Sequence, residues 1–279
     1  MPEPKGELAK RFVVTPGKRL ELTRRDPEDT AGVRGKAHYE PVLQRNIEQL
    51  LNLQSLLAAS NKYALLVVLQ AMDTGGKDGT IRHVMTGLNP AACRVTAFKA
   101  PTEEELRHDF LWRVHKPEPR HGEIGIFNRS HYEDVVTVRV HHQVPKSVWS
   151  ARYSQINDFE KILYKNNTII LKFFLHISKD EQARRLAERI EDPRKNWKLS
   201  TADLTERANW DHYIAAYEDA LTKCSTERAP WYVIPANKKW FRNLAVSQIL
   251  VDTVSALRLK YPKPSFDVAQ LRAALRSTM

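Results

Sequence analysis

Gly75, Gly76 and Lys77 sit together in the stretch LQAMDTGGKDGT, residues 69–80, where their types and spacing suit the binding of a phosphate. The phosphate-binding loop pattern is G-x-x-x-x-G-K followed by Ser or Thr. Here Ala71 stands at the first glycine and Asp78 at the hydroxyl, while Gly76 and Lys77 are in register. Glycines at 75, 76 and 79 let backbone N–H groups approach phosphate oxygens. A helix starting at Lys77 would point its positive end at the same place. Lys77 adds a mobile charge that can follow a transferring phosphoryl group. Asp78, in the first helical turn, borders the cradle and favours the helix dipole. A carboxylate inside a phosphate cradle is repulsive unless a cation bridges it. Asp73 is therefore the candidate ligand for Mg²⁺, a hard cation that prefers oxygen donors.

Two further segments carry charge in useful patterns. In FNRSHYEDV, residues 127–135, Asn128 holds the place where a metal-binding strand of this kind would end in Asp. Glu133 and Asp134 follow closely, and Asp134 is the candidate second metal ligand. Arg129 presents a planar fork suited to phosphate. Ser130 and Glu133 also match a helix capping box, so Glu133 has a structural reading as well. The third segment is ARRLAERIEDPRKNWKLS, residues 183–200. Asp192-Pro193 ends its helix. Arg189, Lys195 and Lys198 are expected to reach phosphate from a mobile lid at about residues 183–205, whereas Arg184 and Arg185 read as a solvated helix face. Trp197 either anchors that lid or stacks on a base. His131, His141 and His142 read as peripheral or structural.

Stepwise alternation of apolar runs and amphipathic stretches sets these segments in a fold. YALLVVLQ (63–70) and TIILKFFLHI (168–177) read as buried parallel strands, joined by shorter ones at 94–100, 123–128 and 231–235. Helices are expected at 77–88, 103–115, 148–166, 180–191, from about 201, and at 239–258. Leu43, Ile47, Leu50 and Leu57 give a further helix one apolar face. This alternation predicts an α/β fold with a five-stranded parallel sheet between helical layers. Ligands bind such sheets at the carboxyl ends of the strands, here after Gln70, Phe127, Ile177 and Pro235. Residues 1–37 read as an irregular arm, 38–265 as one catalytic domain and 266–279 as a tail.

The chain's 279 residues carry a formal net charge of +11 and a pI near 9.6, so a polyanionic partner is expected. No apolar run reaches the ~20 residues of a membrane span. MPEPKGELAKRF lacks the apolar core of a secretion signal, and a reducing cytoplasm fits. Cys93 and Cys224 form no C-x-x-C pair, which argues against a zinc site or a disulfide framework. Nucleic acid is not the expected polyanion, because no recognition module is visible. A basic nucleic-acid-binding protein and an ATP-dependent kinase built on the same loop stand as the alternatives.

MDTGGKDGT, FNRSHYEDV and EDPRKNWKLSTADL, in this order and at these separations, resemble the polyphosphate kinase 2 family, with similarity from about residue 60 to 260. APWYVIPANKKWFRN (229–243) resembles the family's closing strand and helix. The FNRSHYEDV form is similar to the group called class III, associated with both nucleoside mono- and diphosphate acceptors. The resemblance implies a P-loop kinase-like three-layer α/β/α sandwich with a helical lid. It implies Mg²⁺-dependent, reversible transfer of the terminal phosphoryl group of inorganic polyphosphate to nucleoside mono- or diphosphates, in a homo-oligomer. Asp73, Lys77 and Arg129 would act at the reacting phosphates, and Asn128, Glu133, Asp134 and Trp197 would face the nucleotide.

Overall fold

The computed structural model describes residues 6–199 and 202–278. Strands β1 (Ala64–Ala71), β2 (Cys93–Ala97), β3 (Ile124–Asn128), β4 (Thr168–His176) and β5 (Trp231–Pro235) form one parallel sheet in the order β2-β3-β1-β4-β5. All residues of β1 and β4 are buried, as expected for strands covered on both faces. β1 pairs with β3 up to Leu69↔Asn128 and with β4 up to Ala71↔Leu175. The loops leaving these three strands therefore emerge side by side at one edge of the sheet.

Helices α2 (Gly35–Ser60), α3 (Lys77–Val84) and α11 (Lys239–Ser255) pack together on one side. Asn46 of α2 donates to Ser247 and Gln248 of α11 at 3.1 Å each, and Tyr39 stacks on Trp240. Helices α7 (Lys146–Lys165) and α10 (Trp210–Cys224) pack against each other on the other side. The α/β/α sandwich and five parallel strands are as the sequence predicts.

Several boundaries differ from expectation, each for a local reason. The helix expected at 103–115 is two short ones, α4 (Glu103–Leu106) and α5 (Trp112–His115). The Asp109 side chain accepts from the Leu111 N–H at 2.9 Å, and its carbonyl from Trp112, so the intervening chain turns instead of continuing. α3 ends at Val84, ahead of a left-handed Gly87. The long helix expected from 201 is interrupted at Asn209 into α9 (Ala202–Ala208) and α10. The stretch expected to be an irregular arm includes α1 (Glu7–Phe12) and is seated on the core. Ala9, Phe12, Val14, Leu20 and Leu22 are buried, and Val13 bridges antiparallel to Tyr232 of β5. The tail carries α12 (Val268–Ser277), capped by Asp267 and with no buried residue. Among the described residues no helix is long and apolar enough to cross a membrane.

Candidate active site

The loop between β1 and α3 is held in a shape that few side chains permit. Thr74 and Gly76 both adopt left-handed φ, +61° and +102°. At Gly75 a Cβ would meet the Ala71 Cβ at 2.5 Å and the Met72 carbonyl at 2.8 Å, so only glycine fits. α3 then starts at Lys77 with its N–H groups facing the loop. The Lys77 ammonium donates to the Ala71 carbonyl at 3.2 Å. Burial, with the like charge of Arg129, holds its pKa below the usual lysine range. A phosphate would relieve both effects.

Beside this loop, β3 ends in Asn128 and Arg129. The Arg129 N–H extends the ladder to the Leu69 carbonyl at 3.1 Å, and its φ of +62° turns the side chain back toward the loop. Its guanidinium donates to Asp73 Oδ1 at 3.1 Å and lies 3.9 Å from Glu133 Oε2. Burial alone would lower its pKa, but the Glu133 and Asp73 carboxylates raise it. Asn128 Nδ2 donates to Asp78 Oδ1 at 2.8 Å. These two residues thus tie the strand end to the first turn of α3.

Glu133 and Asp134 follow in a 3-10 turn, His131–Asp134, and diverge. Ser130 does cap the turn, its Oγ accepting from the Tyr132 N–H, but no capping box forms with Glu133. The Glu133 carboxylate accepts from the Thr137 hydroxyl at 2.6 Å and faces Arg129. Asp134, expected as a metal ligand beside Asp73, is not brought there. Its carboxyl and carbonyl are held by Arg152, at 3.5 and 3.0 Å, and burial pushes its pKa up to about 6. On one turn, adjacent residues face different directions, and Glu133 is the acid that reaches the loop. The turn rests on a buried network. Lys172 Nζ donates to Glu160 Oε2 (2.5 Å), to the Tyr132 hydroxyl (2.8 Å) and to the Cys224 carbonyl (2.7 Å). Tyr132 in turn donates to Glu160.

A cavity of about 260 Å³ opens over Asp73, Arg129 and Glu133. Its far wall is His141, after the short helix α6 (Thr137–Val140), with Glu206 and Tyr213 from α9 and α10. Tyr213 donates to Glu206 at 2.6 Å, and His141 Nε2 lies 3.1 Å from both groups. His141 therefore lines the cavity instead of lying apart from it.

The basic segment is divided in its roles. α8 (Lys179–Glu191) carries Arg185, which sequence reasoning set on a solvated face. It is instead 5% exposed and inserts behind the phosphate loop. Its guanidinium donates to the carbonyls of Thr74 (2.9 Å), Ala236 (2.5 Å) and Asn237 (3.1 Å), and to Glu181 (2.6 Å). Arg189, in the last turn of α8, and Lys195 and Trp197 beyond it lie outside the cavity lining. Lys195 pairs with Asp192 at 2.8 Å, and Trp197 is 78% exposed, so burial does not anchor it. The Lys198 side chain, with residues 200 and 201, lies outside what is described.

With this geometry in view, relatives are informative. Residues 34–262 match the family model described as Polyphosphate kinase 2. The AMP/ADP-polyphosphate phosphotransferase of Meiothermus ruber is 55% identical over 259 residues, covering 91% of this chain and 96% of that protein. The ADP-polyphosphate phosphotransferase of Rhodopseudomonas palustris is 46% identical, covering 91% and 92%. The crystal structure of Polyphosphate Kinase 2 from Arthrobacter aurescens TC1 superposes with a TM-score of 0.93 at 45% identity, covering 99% of both chains. By its matched residues, its fold and these relatives, the chain belongs to the polyphosphate kinase 2 family.

Proposed function

We propose that this protein transfers the terminal phosphoryl group of inorganic polyphosphate to AMP and ADP, reversibly and with Mg²⁺. One observation carries the reading. Arg129 lies between the Asp73 and Glu133 carboxylates at the mouth of a loop that also holds Lys77. A cation for phosphate, Arg129, and carboxylates for a metal thus line one cavity, with Lys77 held on the adjoining loop. Relatives named as acting on AMP and ADP with polyphosphate support the substrate pair.

The donor set fits Mg²⁺, which is commonly held by one or two carboxylates together with substrate phosphates. Asp73 and Glu133 would hold it, Glu133 taking the place expected for Asp134. When bound, Mg²⁺ offsets phosphate charge. The protein's own groups do the rest. Lys77 and the amides of Gly75 and Gly76 seat the donor phosphate, and Arg129 neutralises the equatorial oxygens of the group in transit. The acceptor phosphate has its second pKa near 6, so its oxygen is already anionic at neutral pH. No general base is needed, which suits a site whose nearest histidine, His141, is engaged with Glu206 and Tyr213. Closure of the segment carrying Arg189, Lys195 and Lys198 would exclude water from the transfer.

The test is an end-point assay with Mg²⁺ and long-chain polyphosphate, offering AMP, ADP, GMP and GDP separately and resolving products by chromatography. AMP converted to ADP and then ATP is the expected result. Reaction with ADP alone would narrow the acceptor class. Transfer from ATP but never from polyphosphate would refute the donor assignment.

A further inference from the structure

Arg242, in the first turns of α11, is a buried cation with no anion to balance it among the described residues. It is 3% exposed. Its Nε and one terminal nitrogen donate to a neutral acceptor, Asn243 Oδ1, at 3.1 and 2.8 Å. Among the described residues no carboxylate pairs with it, and the first turn of α11 holds no acidic residue. Its charged neighbour is Arg185, of the same sign, which together with burial lowers its pKa to about 9.

The position of the guanidinium is telling. A Cβ on Gly76 would lie 1.9 Å from Arg242 Nη1 and 3.6 Å from Arg185 Nη1. A Cβ on Gly79 would lie 3.1 Å from Arg242 Nη2. The missing side chains at 76 and 79 let the guanidinium press against the phosphate loop and the first turn of α3. Desolvating a charge costs several kcal/mol per ion unless a partner offsets it. Nothing in the described protein does so. A fold selected for stability alone would favour a neutral side chain here.

We infer that Arg242 is a donor-binding residue acting from behind the loop, and that the phosphate of polyphosphate seated over Gly76 supplies its counter-charge. The inference rests on the proposed function and deepens it. Arg242 acts through the loop, raising its positive potential where the polyanion binds, and so belongs to donor affinity more than to the transfer step.

The test compares wild type with Arg242→Gln, which keeps a donor for Asn243 but removes the charge. The KM for polyphosphate should rise about 10-fold or more, with that for ADP within about two-fold, and the salt dependence of polyphosphate binding should flatten. Without ligand, the variant should melt no lower than wild type, while the rise in Tm on adding polyphosphate shrinks. A lower Tm with unchanged polyphosphate KM and unchanged ligand-induced rise would make Arg242 a structural brace and overturn the inference. So would a rise confined to the KM for ADP. If R242Q does not fold, the side-chain Nε–H resonance of Arg242 in wild type, assigned by its loss in R242K, must shift on saturation with polyphosphate. An unmoved resonance with polyphosphate bound overturns the inference. Wild type that binds no polyphosphate by any of these readouts overturns the proposed function itself.

Discussion

Replacing Arg185 with Met separates a loop clamp from a surface charge. The arginine makes three hydrogen bonds to backbone carbonyls and one ion pair, to Glu181, whose side chain is 9% exposed. Each bond from a charged donor contributes about 1.5–3 kcal/mol, but bonds sharing one side chain do not add fully. Removing one partner of a buried pair costs about 3–5 kcal/mol when the other charge is stranded. Glu181 is not stranded, because Arg184 also holds it at 2.6 and 2.8 Å. The lower end, about 3 kcal/mol, is the expected loss. At about 2–4 °C per kcal/mol for a chain somewhat shorter than this, Tm should fall by roughly 6–12 °C. The function should suffer separately. Thr74 holds a left-handed φ of +61°, and Arg185 is the group that grips its carbonyl. With the grip lost, the loop relaxes and turnover should drop about 10-fold or more even at temperatures where the variant is folded. Arg185→Lys keeps the charge but not the fork and should fall between. Thermal melts by circular dichroism and turnover at 20 °C below the variant's midpoint provide both numbers. An R185M protein with wild-type Tm and wild-type turnover would show that the contacts to Thr74, Ala236 and Asn237 do not hold the loop.

Lys77→Ala should lower turnover about 100-fold or more, while Tm holds or rises, since a desolvated ammonium is removed; a steady-state rate and a melt decide it. Glu133→Gln should raise the Mg²⁺ concentration needed for half-maximal activity about 10-fold, and Asp134→Asn should leave it near wild type; the reverse ranking would return the metal role to Asp134. Asp134→Asn has a second readout. The carboxyl titrates at about 6 in the fold and near 3.9 in the unfolded chain, so between these values only the folded protein holds the proton. Its contribution to stability is therefore present at low pH and lost as pH rises through 4 to 6. The non-titrating variant should gain on wild type across that window, by up to about 2–3 kcal/mol, and run parallel above it; denaturant melts at pH 4, 5, 6 and 7 measure this.

The strands were legible because burial on both faces leaves a continuous apolar run, as in ALLVVLQA of β1 and TIILKFFLH of β4. The loop and Arg129 were legible because phosphate recognition restricts residue types: glycines, a lysine and a fork in the right context. What escaped was decided by direction. Glu133 and Asp134 are neighbours in sequence, and only the 3-10 turn determines which one meets Arg129. Arg185 lies in the charged run of α8, where solvation is the ordinary reading, and its burial depends on carbonyls contributed by distant Thr74 and Ala236. His141 becomes a cavity wall through Glu206 and Tyr213, some 65 and 72 residues away. Those pairings belong to the tertiary fold, and neither periodicity nor composition encodes them locally.

Under the proposed function, the phosphoryl group leaves polyphosphate and is carried onto the nucleotide. The most direct measurement mixes ³²P-labelled polyphosphate with unlabelled ADP and Mg²⁺ and follows the label. Label is expected in the γ-phosphate of ATP, formed in step with the shortening of the polyphosphate chain and about 100-fold slower or more in the Lys77→Ala protein. Label released only as inorganic phosphate, with no labelled ATP, would contradict it.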